Sequence, residues 1–309
     1  MTTLETLDAS ASAVLDRPAP PLPASIVEAR AAIATAAADY LAIPDAALQR
    51  PWMWRDVENE VRYGIYRAAE TVEAASAELE ANLAGAPARS LAVRIVAPST
   101  IARWALHGRL AALDDSVLDA VARDGEWTVR QTLGHTVGGQ RGYGWASRWW
   151  LSIPLGPDRP KRIPEDVLAR AEVELPSDDD EGLGTLAEIR ARLDAVLDDD
   201  AARFAPLDPA ALAMPAPWSG TQVDIGFRLA RWGSHIYEHT VQLDKTLAWL
   251  GHQPGEAERI VRDLHTAWGR LESRIWPAES TTPAVDEILA RMSATVVGEA
   301  KSARAAAEA

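Results

Sequence analysis

The 309-residue sequence predicts an all-α protein. Apolar residues recur at intervals of three and four through most of the chain, which is the spacing that buries one face of an α-helix. Helix-capping signals and proline-rich connections divide these periodic stretches into separate helices. No two stretches with a period of two face each other across a turn, so no β-hairpin is expected.

The chain begins with a stretch, residues 1–23, that mixes Ala, Ser and Asp and ends in closely spaced prolines. Such a composition predicts an extended lead-in. Helical patterning begins at Ser25, which stands three residues before Glu28 at the spacing of a capping box. A second helix is predicted over residues 57–83.

The next segment is short and apolar, SLAVRIVAP, and has the composition of a strand without a partner strand. Pro98 and Ser99 are predicted to open the following helix. Thr128 stands three residues before Gln131, again at the capping-box spacing, and predicts the start of another long helix.

The acidic residues 178–180 are typical of a solvated turn that begins a helix, here over residues 183–197, because carboxylates favour a helix N-terminus. Later helices are predicted over residues 228–250, 256–275 and 285–309. The connections between them are rich in proline.

The composition argues against several classes of function. The net charge of -14 and the lack of a basic run argue against a nucleic-acid partner. No apolar run reaches the length of a membrane span, and no basic, apolar leader opens the chain, so a cytoplasmic protein is expected. The absence of Cys excludes thiolate ligands and thiol nucleophiles from the chain itself.

Two histidines, His235 and His239, lie four residues apart in one of the predicted helices, so their imidazoles stack on one face. His239 falls inside the apolar stripe, between Ile236 and Leu243. Two imidazoles at this spacing can share a metal ion. They can equally be core histidines that are satisfied by hydrogen bonds.

A third histidine, His135, shares a helix face with three glycines, Gly138, Gly139 and Gly142. Each glycine inside a helix costs up to about 1 kcal/mol relative to alanine. Such a cost indicates that another helix or a ligand approaches the backbone closely. The alternative is a helix that kinks or ends near Gly138.

The motif W-T-V-R-Q-x-L-x-H at Trp127–His135, followed by H-x-x-x-H at His235–His239, resembles the DinB/YfiT-like superfamily, which includes mycothiol-dependent maleylpyruvate isomerase. The resemblance implies a four-helix bundle that holds a divalent metal ion, commonly zinc or nickel. Carried over by motif, the three ligands are His135, His235 and His239. The long, proline-rich gap between His135 and the pair departs from the simplest members, and a lid or insertion is expected there.

The resemblance also predicts how the chain is divided. Residues 96–280 would form the DinB-like bundle, and residues 24–95 would be an N-terminal helical extension. Residues 281–309 would add a C-terminal helix, and residues 1–23 remain the lead-in.

Three imidazoles leave a position on a metal ion open for water or substrate. The leading interpretation is therefore a metal-dependent small-molecule enzyme of the thiol transferase, isomerase or hydrolase type. Its partner would be a small molecule such as a low-molecular-weight thiol, and a homodimer is compatible with the sequence. The alternatives are a non-catalytic bundle that binds a metal or small ligand, and a structural bundle with packed histidines.

Several other side chains have predicted supporting roles. Gln131 and Gln242 are candidates to accept hydrogen bonds from the imidazole N–H groups. Arg228 is the candidate anchor for a substrate carboxylate, with Arg231 as its alternative. A surface ion pair between Arg228 and Asp224 is equally compatible with the sequence.

The remaining histidines and a cluster of tryptophans are assigned structural roles outside the site. The histidines set aside as surface or hydrogen-bonded residues are His107, His252 and His265. The tryptophans assigned to core packing, rather than to a pocket wall, are Trp145, Trp149 and Trp150.

Overall fold

The computed structural model describes residues 19–54, 56–86, 88–277 and 281–309. Most of the predicted lead-in, residues 1–18, lies outside this range. The helices are α1 (Ala24–Leu41), α2 (Val61–Leu83), α3 (Leu91–Leu110), α4 (Val129–Ser152), α5 (Glu165–Glu174), α6 (Asp178–Glu181), α7 (Leu186–Phe204), α8 (Pro209–Leu212), α9 (Ile225–Trp249), α10 (Glu256–Ile275) and α11 (Pro283–Glu308). The class is all-α, as predicted.

A short antiparallel hairpin was not expected from the sequence. Strand β1 (Pro51–Trp54) pairs with β2 (Val57–Glu60), and Trp52 lies opposite Asn59 in the register. Asp56 turns the chain with a φ of 50°. Each strand has only four residues, which is too short for alternation to stand out from the neighbouring helical pattern. The prediction that α2 begins at residue 57 was therefore early by one strand.

Helix α3 begins at Leu91, so the apolar stretch before Pro98 is helical and not a strand. Proline inside a helix removes one hydrogen bond, which is why the sequence favoured a boundary there. Close packing stabilises the uninterrupted helix. A Cβ added at Gly233 of α9 would lie 3.0 Å from the carbonyl carbon of Pro98, so the two backbones approach closely.

Some of the predicted helix starts are present in the structure and others are not. The capping box at the start of α4 is confirmed, since Gln131 N donates to Thr128 Oγ1 at 3.2 Å and Thr128 N donates to Gln131 Oε1 at 2.9 Å. Ser25 is not a cap, because α1 begins at Ala24 and the Ser25 hydroxyl hydrogen-bonds Thr281 instead. The acidic residues 178–180 lie within α6, and α7 has its own capping box at Thr185.

The described residues form two compact units that are discontinuous in sequence. The first contains Ala88–Ser99 and Asp114–Leu250, and the second contains Pro21–Pro87, Thr100–Leu113 and Gly251–Ala309. The division falls within α3. The predicted domains were continuous segments, and their boundaries stay a prediction.

The first unit contains α4, α7 and α9 together with the beginning of α3. Their apolar faces bury a core in which Trp150 and Trp232 are almost fully enclosed. Trp149 packs against the same core, so the core-packing role is confirmed for Trp149 and Trp150. The core fixes α4 against α9, and these two helices carry the predicted ligands.

The second unit packs α1, α2, α10 and α11 together. Glu272 is fully buried in it and accepts hydrogen bonds from Arg30, Arg103 and Trp104. His265 is also buried there, and its Nδ1 lies 2.9 Å from the carbonyl oxygen of Val261. No helix in the described part of the chain is long and apolar enough to cross a lipid bilayer.

Candidate metal centre

Three histidines converge between α4 and α9. His135 on α4 and His235 and His239 on α9 each offer one nitrogen, and these three nitrogens lie within 4.8 Å of one another. Nε2 of His235 is 3.0 Å from Nε2 of His239. The structure therefore brings together the three residues that the sequence had selected.

Local sequence explains how each ring reaches this point. The capping box at Thr128 fixes the start of α4, and His135 follows two helical turns later. Asp224 caps α9 by accepting from Phe227 N at 2.7 Å. The four-residue spacing then places His235 and His239 one above the other on the face that packs against α4.

Two of the three glycines beside His135 accommodate close contacts, as their position suggested. A Cβ added at Gly139 would lie 2.4 Å from Cε1 of His235, and one added at Gly138 would lie 2.2 Å from Oδ1 of Asp178. Gly142 does not fit this explanation, because no atom lies within 4 Å of the corresponding position. The backbone of α4 is thus approached by an imidazole on one side and by α6 on another.

Each imidazole is also held at its Nδ1 atom. His135 Nδ1 lies 2.7 Å from Asp178 Oδ2, His235 Nδ1 lies 3.1 Å from Gln140 Nε2, and His239 Nδ1 lies 2.9 Å from Gln242 Oε1. These contacts orient the rings and leave the Nε2 atom of each ring for another partner. Partners at the second nitrogen are typical of histidines that bind metals.

Only one of these partners was predicted. Gln242 was, and its contact with His239 is present. Gln131 is not a partner, because its side chain is used by the capping box. Gln140 was missed, because a position five residues after His135 lies roughly 140° around the helix from it, and its contact with His235 is a tertiary one. Asp178 carried no sequence signal beyond its place in an acidic run.

The donor set suits a divalent metal ion. Burial, together with the charges of His239 and His135, lowers the pKa of His235 to about 3, and burial lowers the pKa of His239 as well. Both rings are therefore neutral at pH 7, as metal ligation requires. The cluster among the described residues contains imidazoles alone, with no carboxylate. Such a set could hold a borderline metal ion and leave a position open.

Aromatic side chains flank the histidines. Trp127 stacks on His239 at 6.3 Å between ring centroids and lies 5.0 Å from His135. Tyr143 meets His235 edge-on at 5.1 Å, and Trp218 lies beyond it at 5.7 Å. These rings, and not the cluster around Trp150, form the apolar surroundings of the site. Tyr143 could have been found by its position two turns after His135.

The two candidate anchors are both engaged by the protein. Arg228 is buried, and it donates to the carbonyl oxygens of Ala216 at 2.8 Å and Pro217 at 2.6 Å. Burial lowers its pKa to about 10. It makes no surface ion pair with Asp224, which caps α9.

Arg231 forms a two-pronged ion pair with Glu238, at 2.8 and 2.5 Å. Burial raises the pKa of the nearby Tyr143, and the charge of Arg231 opposes this shift. The role of Arg228 as a substrate anchor stays a prediction.

The histidines set aside from the sequence are not part of this group. His252 pairs with Glu258 through Nε2 at 3.0 Å. His107 is buried, with its ring 5.3 Å from that of Trp104. Both, like His265, belong to the second unit.

Comparison with known proteins points in the same direction. Residues 99–243 match the model of the DinB superfamily, a range that covers the helices carrying all three histidines. No curated protein and no solved structure matches the chain significantly. The match over residues 99–243, the helical bundle and the converging histidines agree, and together they support membership of the DinB superfamily.

Proposed function

We propose that this protein is a metal-dependent enzyme acting on a small molecule, with His135, His235 and His239 as ligands of a zinc or nickel ion. The reaction would be a thiol transfer, an isomerisation or a hydrolysis. The observation that carries the proposal is the convergence of three imidazole nitrogens whose rings are each oriented by a neighbouring side chain.

When bound, such an ion polarises a carbonyl group or lowers the pKa of a water or thiol. The protein's own groups would prepare the substrate. Trp127 and Tyr143 flank the histidines with apolar surface that excludes water and can bind the apolar part of a ligand. The ring of Tyr143 meets that of His235 edge-on and so lies beside the ion that the histidines would hold.

A thiol substrate would come from outside the chain, because the sequence contains no Cys. Arg228 is proposed to orient an anionic group of that substrate. Its guanidinium uses Nε and Nη2 to bind two carbonyl oxygens, which leaves Nη1 for a ligand. Arg231 is the second choice, because Glu238 already neutralises it.

The test begins with protein purified without a histidine tag. Metal analysis should find about one zinc or nickel ion per chain, and substitution of any of the three histidines by Ala should remove it. The loaded protein is then assayed against a panel of small thiols and esters, with chelator-treated protein as the control. Turnover that depends on the metal and falls in Arg228→Ala supports the enzyme.

A second function, a non-catalytic metal or small-ligand binding module, is favoured by one observation. Both candidate anchors are already committed to protein partners. Under this alternative the loaded protein binds members of the panel, or the metal alone, without converting any of them. A metal content near zero after refolding with zinc or nickel would exclude the metal-dependent enzyme and the metal-binding module, and would leave only the small-ligand binding module.

A further inference from the structure

Gln140 is enclosed between α4 and α9, with only 1% of its surface exposed. Its amide nitrogen lies 3.1 Å from His235 Nδ1 and 3.4 Å from the carbonyl oxygen of Trp232. Its amide oxygen, Oε1, is buried and has no hydrogen-bond partner among the described residues. A buried acceptor without a partner costs free energy, so this orientation needs a compensating reason.

The reason lies in the direction of the hydrogen bonds. If the Gln140 amide donates to Nδ1 of His235, the hydrogen of that ring sits on Nε2. The Nε2–H group then donates to Nε2 of His239 at 3.0 Å. His239 in turn donates from Nδ1 to Gln242 Oε1 at 2.9 Å. Every ring nitrogen in this chain of bonds is satisfied without a metal ion.

The same arrangement prevents His235 from acting as a ligand through Nε2, because that atom carries a hydrogen. Ligation requires the other tautomer, with the hydrogen on Nδ1. In its present orientation, the N–H group of the Gln140 amide would then face the Nδ1–H group of His235, and neither group can accept a hydrogen bond. Rotation of the amide by half a turn puts Oε1 opposite the Nδ1–H group and gives the unsatisfied oxygen its missing partner, at the cost of the long contact between the amide nitrogen and the carbonyl oxygen of Trp232. One hydrogen moves between the two ring nitrogens, and the net charge is unchanged.

We propose that Gln140 is a positioning residue that sets the tautomer of His235, presenting its amide nitrogen to the metal-free ring and its amide oxygen to the ligating ring. The inference rests on the proposed metal centre. It assigns Gln140 a different task from Asp178: the carboxylate can only accept, so it always holds His135 as the Nδ1–H tautomer, whereas an amide can serve either state.

The test combines tautomer and affinity measurements on the full chain. Protein labelled with ¹⁵N at histidine gives the imidazole nitrogen shifts, which distinguish Nδ1–H from Nε2–H rings with and without zinc. Zinc affinity is measured by competition with a chromophoric chelator. The variants are Gln140→Met, which keeps the shape without hydrogen bonds, and Gln140→Glu, whose carboxylate accepts from Nδ1–H. Gln131→Glu on the same helix is the control.

We expect His235 of the wild type to be the Nε2–H tautomer without zinc and the Nδ1–H tautomer with it. Gln140→Met should bind zinc about 10- to 100-fold more weakly, the range found for partners of metal ligands. Gln140→Glu should recover affinity relative to Gln140→Met and hold the Nδ1–H tautomer even without zinc. Thermal melting of both variants checks that they fold.

Two results would overturn the assignment while leaving the metal centre intact. One is an Nδ1–H ring at His235 in the metal-free wild type. The other is zinc binding by folded Gln140→Met that equals the wild type. Failure of the wild type to bind zinc would instead remove the metal centre itself, and the role of Gln140 with it.

Discussion

Asp178 Oδ2 lies 2.7 Å from Nδ1 of His135, although 43 residues separate them in sequence. The contact is possible because Gly134 and Gly138 leave room for α6 against α4, where any Cβ would overlap Asp178. At the other end of α6, the buried Glu181 accepts from Arg141 Nε of α4 at 2.5 Å. The short helix that carries Asp178 is therefore fixed against α4 at both of its ends.

The charge of Asp178 is predicted to strengthen metal binding through His135. In Asp178→Asn the side chain can still accept a hydrogen bond, but it no longer increases the basicity of the ring. Zinc affinity, measured by chelator competition, should fall about 10- to 100-fold. Asp179→Asn, on the same short helix, is the matched control and should retain wild-type affinity. Equal affinities for the two variants would contradict the role given to Asp178.

The glycines of α4 should respond in opposite ways to alanine. Gly139→Ala places a methyl group 2.4 Å from Cε1 of His235 and should displace the ring, with loss of zinc binding and stability. Gly142→Ala enters open space and should stabilise the helix by up to about 1 kcal/mol. Urea unfolding and metal titration of both variants check this. A stabilised, zinc-binding Gly139→Ala would show that the imidazole is not held against α4.

Metal binding should stabilise the folded protein through the three histidines only. At a free zinc concentration of about 100 times the dissociation constant, the wild type gains about 2.7 kcal/mol. His239→Ala should lose most of this gain, whereas His252→Ala should keep it, because His252 contacts Glu258 in the second unit. The readout is the difference in melting temperature with and without zinc. Equal, small differences in both variants would favour histidines that are merely packed.

Arg228 is predicted to contribute to stability independently of any substrate. Its removal in Arg228→Ala leaves the carbonyl oxygens of Ala216 and Pro217 without their donor in a buried environment. Hydrogen bonds from charged donors contribute about 1.5–3 kcal/mol each, so a loss of roughly 2–5 kcal/mol is expected in urea unfolding. Arg231→Ala, which breaks an exposed ion pair, should cost under about 1 kcal/mol. If Arg228→Ala is as stable as the wild type, the structural role is contradicted, and substrate binding remains as the reason for burying this arginine.

A buried acid, Asp200, should make stability depend on pH. Burial raises its pKa to about 7, with Asp199 adding to the shift and Arg148 and Arg203 opposing it. The folded state therefore binds the proton more tightly than the unfolded state. This contribution is fully present below about pH 4 and is lost as the pH rises through 7.

Urea unfolding of metal-free protein between pH 5 and 8 measures this effect. As the pH rises from 5 to 8, the wild type should lose stability relative to Asp200→Asn, because the amide does not titrate. Identical slopes for the two proteins would show that Asp200 is ionised throughout.

The parts of the fold that could be predicted are those encoded locally. Helical periodicity gives α9 and α10, and the capping box at Thr128 gives the start of α4 within a residue. The part of α3 before Pro98 was missed because the local cost of that proline suggested a boundary. The packing of Gly233 against it is a tertiary effect that no local pattern contains.

The candidate site follows the same division. The three histidines could be selected by spacing and by the motif around His135, and Gln242 by its position one turn after His239. Asp178 could not be selected, because a run of acidic residues predicts a solvated segment. The sequence does not show that one of them contacts a histidine on another helix. For Gly142 the sequence suggested too much. It shares a helix face with His135, so a close neighbour was expected, but no atom lies within 4 Å of the position of an added Cβ.

The partner of one proposed ligand lies on α6, a four-residue helix in a connecting segment. Asp178 reaches His135 from the segment that joins α4 to α7, and not from a helix of the bundle core. A connection of this kind can be shortened, lengthened or exchanged without disturbing the buried faces that hold the histidines. The affinity for the ion can then be tuned, or abolished, by grafting a loop while every ligand stays in place.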